Sequence, residues 1–158
     1  MGTELSKLKD QLVRDPRPAV FMALAEAYRA SGNLGAAIET LVVGKRRHPG
    51  YVSGRAMLGQ IYLQTGMFRE ARVEFEDVTR LNDQHVLSYK KLSFIYQQGG
   101  EHQKSKIALD RVLAIDPYDK EVKELLISLE GVLEKQRIRT QKVTRLKMAL
   151  AHIRQHKR

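Results

Sequence analysis

Three tyrosines, Tyr28, Tyr62 and Tyr96, stand 34 residues apart, and the residues around them repeat with them. A leucine precedes each by four positions (Leu24, Leu58, Leu92), and a glycine follows each by four (Gly32, Gly66, Gly100). Nine positions after each tyrosine comes a small residue (Ala37, Ala71, Ser105), and four further on a large apolar one (Leu41, Phe75, Leu109). Pro49 and Pro117 close the first and third units, with Asp83 in the second. No other feature restricts the fold as much, because like units in series must bury like faces in a like manner.

The spacing dictates what one unit is. Leucine and tyrosine at i and i+4 share one helical face. Glycine ends that helix, since it accepts the left-handed conformation of a C-terminal cap. The small residue then lies on a second helix where two backbones approach closely. The apolar residue after it fills the joint with the following unit, and proline or aspartate stops the second helix. Each unit is thus a helix hairpin that cannot bury its face alone and stacks on its neighbours.

This pattern resembles the tetratricopeptide repeat, over three units at 18–51, 52–85 and 86–119. The second is the most faithful, with Leu58, Gly59, Tyr62, Gly66, Ala71 and Phe75 in place. Departures are Phe21, Arg55 and Tyr89 where an aromatic such as tryptophan is usual, Ala25 and Ser93 for a small glycine, and Ser105 for alanine. The resemblance implies an all-α, right-handed solenoid of stacked antiparallel helix hairpins with capping helices at both ends. Leu5, Leu8 and Leu12 mark an N-terminal capping helix within 1–15. A C-terminal cap is expected at 119–136, with Val122, Leu125, Leu126, Leu129 and Leu133 inward and Glu130 in place of a fourth tyrosine. Residues 137–158 read as a separate basic amphipathic helix.

Charge separates body from tail. Residues 1–134 carry 19 Lys/Arg against 18 Asp/Glu, whereas 135–158 carry nine Lys/Arg and no acid. The two parts therefore do different work. The chain has no cysteine, which removes disulfides, thiolate metal sites and cysteine nucleophiles. No apolar run approaches the roughly 20 residues of a membrane span. The N-terminus is charged rather than an apolar signal core. A cytoplasmic chain is expected.

Catalytic chemistry finds no support. There is no glycine-rich phosphate loop, nucleophile elbow or metalloprotease helix. His48, His85 and His102 fall near inter-helix loops and read as exposed. His152 and His156 at i, i+4 share a helical face, but without a third ligand they read as solvated rather than metal-binding. Glu74, Glu76 and Asp77 with Arg72 and Arg80 read as a solvated charge ladder. Neither an enzyme nor a cofactor is expected.

In the family, the first helix of each repeat lines a concave groove that holds a partner segment. Carried over, the groove residues are Met22, Glu26 and Arg29, then Met57, Gln60 and Leu63, then Leu87, Lys90, Lys91, Phe94 and Gln97, with Ala19, Ala23, Ser53 and Ala56 beside them. Chaperone-binding members hold a terminal carboxylate with a basic and amide clamp. The matching positions here are Met22, Glu26, Met57, Leu87 and Lys91, of which only Lys91 fits, so that subclass is not expected. The groove is instead expected to take an apolar helix or extended segment, for which flexible methionines are suited.

In the tail, Val143, Leu146, Leu150 and Ile153 recur at i, i+3, i+7 and i+10 with Lys142, Arg145, Lys147 and Arg154 around them. Alone in water such a short helix is marginal, so it is expected to fold on docking. The reading as a whole is a protein-interaction adaptor: the groove takes a peptide or helix of another protein and the tail adds a second contact. The alternative is a binder of nucleic acid or anionic membrane through the tail, which lacks an aromatic to stack on bases.

Overall fold

The computed structural model describes residues 2–155, and these form eight helices with no strand. They are α1 (Gly2–Arg14), α2 (Pro18–Ala30), α3 (Leu34–Arg47), α4 (Val52–Gln64), α5 (Phe68–Leu81), α6 (Val86–Gln98), α7 (His102–Ile115) and α8 (Lys120–Gln155). The chain divides into two compact units, one ending at Ile95 and one beginning at Tyr96, so the boundary falls within α6.

In the first unit α2 packs on α3 and α4 on α5, α3 packs on α4, and α1 packs on α2. The repeating residues explain the hairpins. Pro18 opens α2 at a position where its missing N–H costs nothing. Gly32 and Gly66 have φ of +77° and +74°, the left-handed region that a side chain with a Cβ resists. The residue after each glycine donates its N–H to the tyrosine carbonyl five positions back, Asn33 to Tyr28 at 2.9 Å and Met67 to Tyr62 at 2.8 Å. Those bonds satisfy carbonyls that would otherwise be orphaned at the helix end. The core behind the turns is Phe21, Leu24, Ala25, Ala37 and Leu41 in one hairpin and Leu58, Ile61, Ala71, Phe75 and Val78 in the next, all buried. Each large apolar side chain so buried contributes about 1.5–3 kcal/mol.

Arg55, where the resembled repeat carries an aromatic, has ionic partners in the fold. It lies on α4 and bonds Asp77 Oδ2 at 2.8 Å, Glu74 Oε2 at 3.3 Å and the Pro49 carbonyl at 2.9 Å. Lys45 of α3 donates to the other oxygen of Glu74. Glu74 is only 3% exposed. It is therefore not a rung of a solvated ladder but a buried carboxylate held by cations from two other helices. Glu76, by contrast, does pair along its own helix with Arg72 at 2.7 Å.

The histidines also differ from the exposed reading. His48 is half-buried, its Nε2 lies 2.8 Å from the Pro16 carbonyl, and its ring meets Phe21 edge-on. His85 is half-buried and its Nδ1 accepts the Ser88 N–H at the start of α6. His102 is half-buried as the first residue of α7. His48 is held by the loop before α2 and by Phe21, and His85 by the first turn of α6, so these two imidazoles are not free in water.

In the second unit Gly100 repeats the turn, with φ +71° and Glu101 donating to Tyr96 at 2.8 Å. There α7 packs on α8, and Ser105, Leu109, Val112, Val122, Leu126 and Leu129 are buried. Asp119 caps α8 through the Val122 N–H at 3.0 Å. Two expectations are corrected here. Leu125 is 40% exposed, because Val122, Leu126 and Leu129 define the face toward α7 and Leu125 sits on its flank. The cap at 119–136 and the tail at 137–158 are also not two helices; α8 runs unbroken for 36 residues. No proline interrupts it, and extending a helix from a docked first half avoids the nucleation penalty an isolated tail would face.

Candidate functional site

The first helices α2, α4 and α6 carry the residues that the family resemblance assigns to a groove. On α2, Met22 is half-buried and lines a narrow crevice with Phe21, Leu41 and Tyr51, so part of its surface serves packing. Glu26 and Arg29 neutralise each other through bonds of 2.5 and 2.9 Å. The hydrogen bonds from Arg29 hold the Glu26 carboxyl below the ordinary carboxylate range, and the pair raises Arg29 in turn. Because the shift is downward, whatever stability the pair adds is present at neutral pH and lost as pH falls through the Glu26 pKa. Arg29→Ala is expected to return Glu26 to the ordinary range, read from its side-chain carbon shift in an NMR titration.

On α4, Met57, Gln60 and Leu63 are half-buried, whereas Ala56 is buried and offers nothing to a ligand. Burial pushes the neighbouring Tyr62 phenol up, and Glu74 and Glu70 add to that. On α6, Lys90 and Lys91 are half-buried, while Leu87 and Phe94 remain 41% and 47% exposed. Two exposed apolar side chains seven residues apart lie on one face of the helix. Gln97, across the boundary in the second unit, is half-buried and its amide donates to Ser105 Oγ at 3.1 Å, inside its own repeat.

Two further apolar surfaces lie outside the residues the resemblance assigns. Phe68, on the first turn of α5, is exposed, and its ring lies 6.3 Å from that of Phe94. Met67 beside it is exposed as well. Met67, in the turn directly after Gly66, carries a sign in the sequence, since a turn residue needs no apolar side chain, whereas Phe68 opens α5 and carries none. The second is α1, read only as a cap. Its Leu5 and Leu8 face Ala23, Ala27 and Ala30 of α2 across a cleft of about 410 Å³.

In the tail, Val143, Leu146, Leu150 and Ile153 are all exposed, as are Lys142, Arg145, Lys147 and Arg154. His156 lies outside the described residues. Among the described residues no three His, Cys, Asp or Glu side chains cluster as a metal site would require, and no helix is long and apolar enough to cross a membrane.

Residues 53–85 match the family model of the tetratricopeptide repeat. Solved structures with the same fold include the first tetratricopeptide domain of Spaghetti (RPAP3) bound to the HSP90 peptide SRMEEVD, 18% identical over 75% of this chain and 94% of that one, with a TM-score of 0.68. MamA is 20% identical over 87% and 89% of the two chains, with a TM-score of 0.66. A tetratricopeptide protein of Parabacteroides merdae is 15% identical over 82% of this chain and 54% of that one, with a TM-score of 0.73. No curated protein matches in sequence.

Proposed function

We propose that this chain, a tetratricopeptide-repeat protein of no particular subfamily, is an interaction scaffold whose first-helix face binds an apolar helix or extended segment of another protein. The observation that carries this is the exposure of Leu87 and Phe94 on α6, with Phe68 against Phe94. Single apolar side chains at a surface need no explanation, but Leu87 and Phe94 share one helix face and Phe68 lies against Phe94, and clustered apolar surface is what marks an interaction site. Met57 and Leu63 on α4 add adaptable apolar surface, and the basic end of α8 supplies a second contact.

The ligand class differs from that of the chaperone-peptide neighbour. That neighbour holds an acidic peptide, SRMEEVD. Here Glu26 is tied to Arg29, and Met22, Met57 and Leu87 stand at the other clamp positions, with Lys91 as the one cation among the five. A face of this kind selects apolar anchors rather than a terminal carboxylate. An anionic surface is the competing ligand for the tail and predicts binding that falls steeply with salt.

Met57→Ser combined with Phe94→Ser is expected to abolish capture of the native partner from the host by the full-length chain. Far-ultraviolet helicity should stay near wild type, since neither side chain is fully buried. Unchanged capture by a folded double variant would move the contact to another face.

A further inference from the structure

α8 is more than an exposed basic arm. Every described residue from 134 to 155 is exposed, a projecting length of about 33 Å at 1.5 Å per residue. Its apolar residues keep a seven-residue register with the part already packed on α7. Val122 and Leu129, buried there, are followed at intervals of seven by Gln136, Val143 and Leu150. Three places after each come Leu125, Val132, Arg139, Leu146 and Ile153. Apolar residues alternating at three and four are the a and d positions of a coiled coil, and polar residues at an a and the next d position, Gln136 and Arg139, specify register at a cost in stability.

The stripe is also the right width. At 100° per residue, Val143, Leu146, Leu150 and Ile153 span only about 80° of arc, narrower than the face a helix buries in a core or lays on a bilayer. Cations close it on both sides: Lys142 on one, Lys147 and Arg154 on the other. A membrane-lying helix would show a broad apolar face with aromatic anchors. This helix has no aromatic residue along its length.

We infer that the exposed half of α8 is one strand of a heterotypic coiled coil whose other strand is an acidic amphipathic helix, apolar at a and d and carrying Glu or Asp at e and g. The flanking charges select that occupant over a second copy of this chain. In a parallel pair Lys142 of one strand would face Lys147 of the other, and in an antiparallel pair the cationic edges would meet themselves. No acid between 135 and 158 offsets either arrangement. An acidic helix turns each repulsion into attraction while covering the same seam. This names the chemistry of the second contact proposed above and does not depend on the first-helix face.

The test uses the full-length chain and a labelled synthetic peptide of about four heptads, with Leu and Ile at a and d, one Asn at an a position, and Glu at every e and g. A matched peptide carries Lys at e and g. By fluorescence anisotropy in physiological salt, the Glu peptide is expected to bind with micromolar affinity or better, and the Lys peptide at least about 30-fold more weakly. Leu146→Asp with Leu150→Asp should abolish binding at every salt concentration, because salt screens charge but not apolar burial. Lys142→Glu, Lys147→Glu and Arg154→Glu together should reverse the preference toward the Lys peptide. Met57→Ser with Phe94→Ser should leave peptide binding unchanged, so a failure of the first-helix face and a failure of this seam are told apart. Equal binding of the two peptides would overturn the inference. So would a dimer of the full chain in light scattering that excludes the peptide, or binding to phosphatidylserine vesicles without binding to the Glu peptide.

Discussion

Replacing Lys45 and Arg55 together with methionine is expected to destabilise the first unit by about 3–5 kcal/mol, the cost of leaving a buried carboxylate without its cations. Glu74 is the group at risk, with a side chain 4% exposed and partners on two other helices. Lys45→Met alone should cost less, since Arg55 remains 3.3 Å from Glu74 Oε2. Glu74→Met alone should also cost less. Arg55 then keeps Asp77 at 2.8 Å, and Lys45, 26% exposed, can turn toward water. Adding Glu74→Met to the double variant is expected to recover most of the loss, because a buried ion group replaced by apolar residues of similar size is often neutral or better. Urea unfolding of the four variants checks the order. If the double variant unfolds at the wild-type midpoint, Glu74 is not confined as the geometry requires. The cluster ties α3, α4 and α5 of the first unit together.

Why Glu74 escaped the sequence reading while the hairpins did not is a matter of range. Tyr28 and Gly32, or Tyr62 and Gly66, act within one helix and its turn, and their spacing alone specifies the cap geometry found at φ +77° and +74°. Three repetitions of one local rule are legible without any structure. On its own helix Glu74 has no cation three or four places away, since Arg72 is spaced for Glu76 and Arg80 for Asp77, and its cations come from 29 and 19 residues away. Spacing along one helix leaves Glu74 without a partner and does not name partners so distant. Arg55 in an aromatic position was the available sign, since a cation in a packed site requires a buried acid. The tail shows a related limit. Propensity describes 137–158 as a marginal helix because it considers the segment alone, whereas continuity with Val122, Leu126 and Leu129 supplies the nucleus. The apolar surface of α6 was legible in Leu87 and Phe94. Phe68 was not, because it belongs to a second helix and reaches Phe94 only through the fold.

The pairing of Gly59 with Phe75 gives the sharpest test of how the repeats pack, because the expected effect changes sign with context. A Cβ on Gly59 would lie 2.9 Å from Phe75 Cζ and 3.1 Å from both Cε atoms, closer than side-chain carbons approach. The same two sequence positions hold Ala25 with Leu41 in the first repeat and Ser93 with Leu109 in the third. Glycine therefore stands where the partner is the large flat ring, and a residue with a Cβ stands where it is leucine. Gly59→Ala adds about 1 kcal/mol of helix propensity but overpacks a fully buried ring at a cost of about 1–3 kcal/mol. The balance is expected to be destabilising. Phe75→Leu removes the clash, so Gly59→Ala made in that background should stabilise by up to about 1 kcal/mol relative to Phe75→Leu alone. A double-mutant cycle in urea then reads the coupling directly as the difference between the two backgrounds, about 1–3 kcal/mol. A coupling near zero would show that the α4–α5 hairpin opens to admit the methyl group, and that close approach of the Phe75 ring to the α4 backbone is not what sets the geometry of the second repeat.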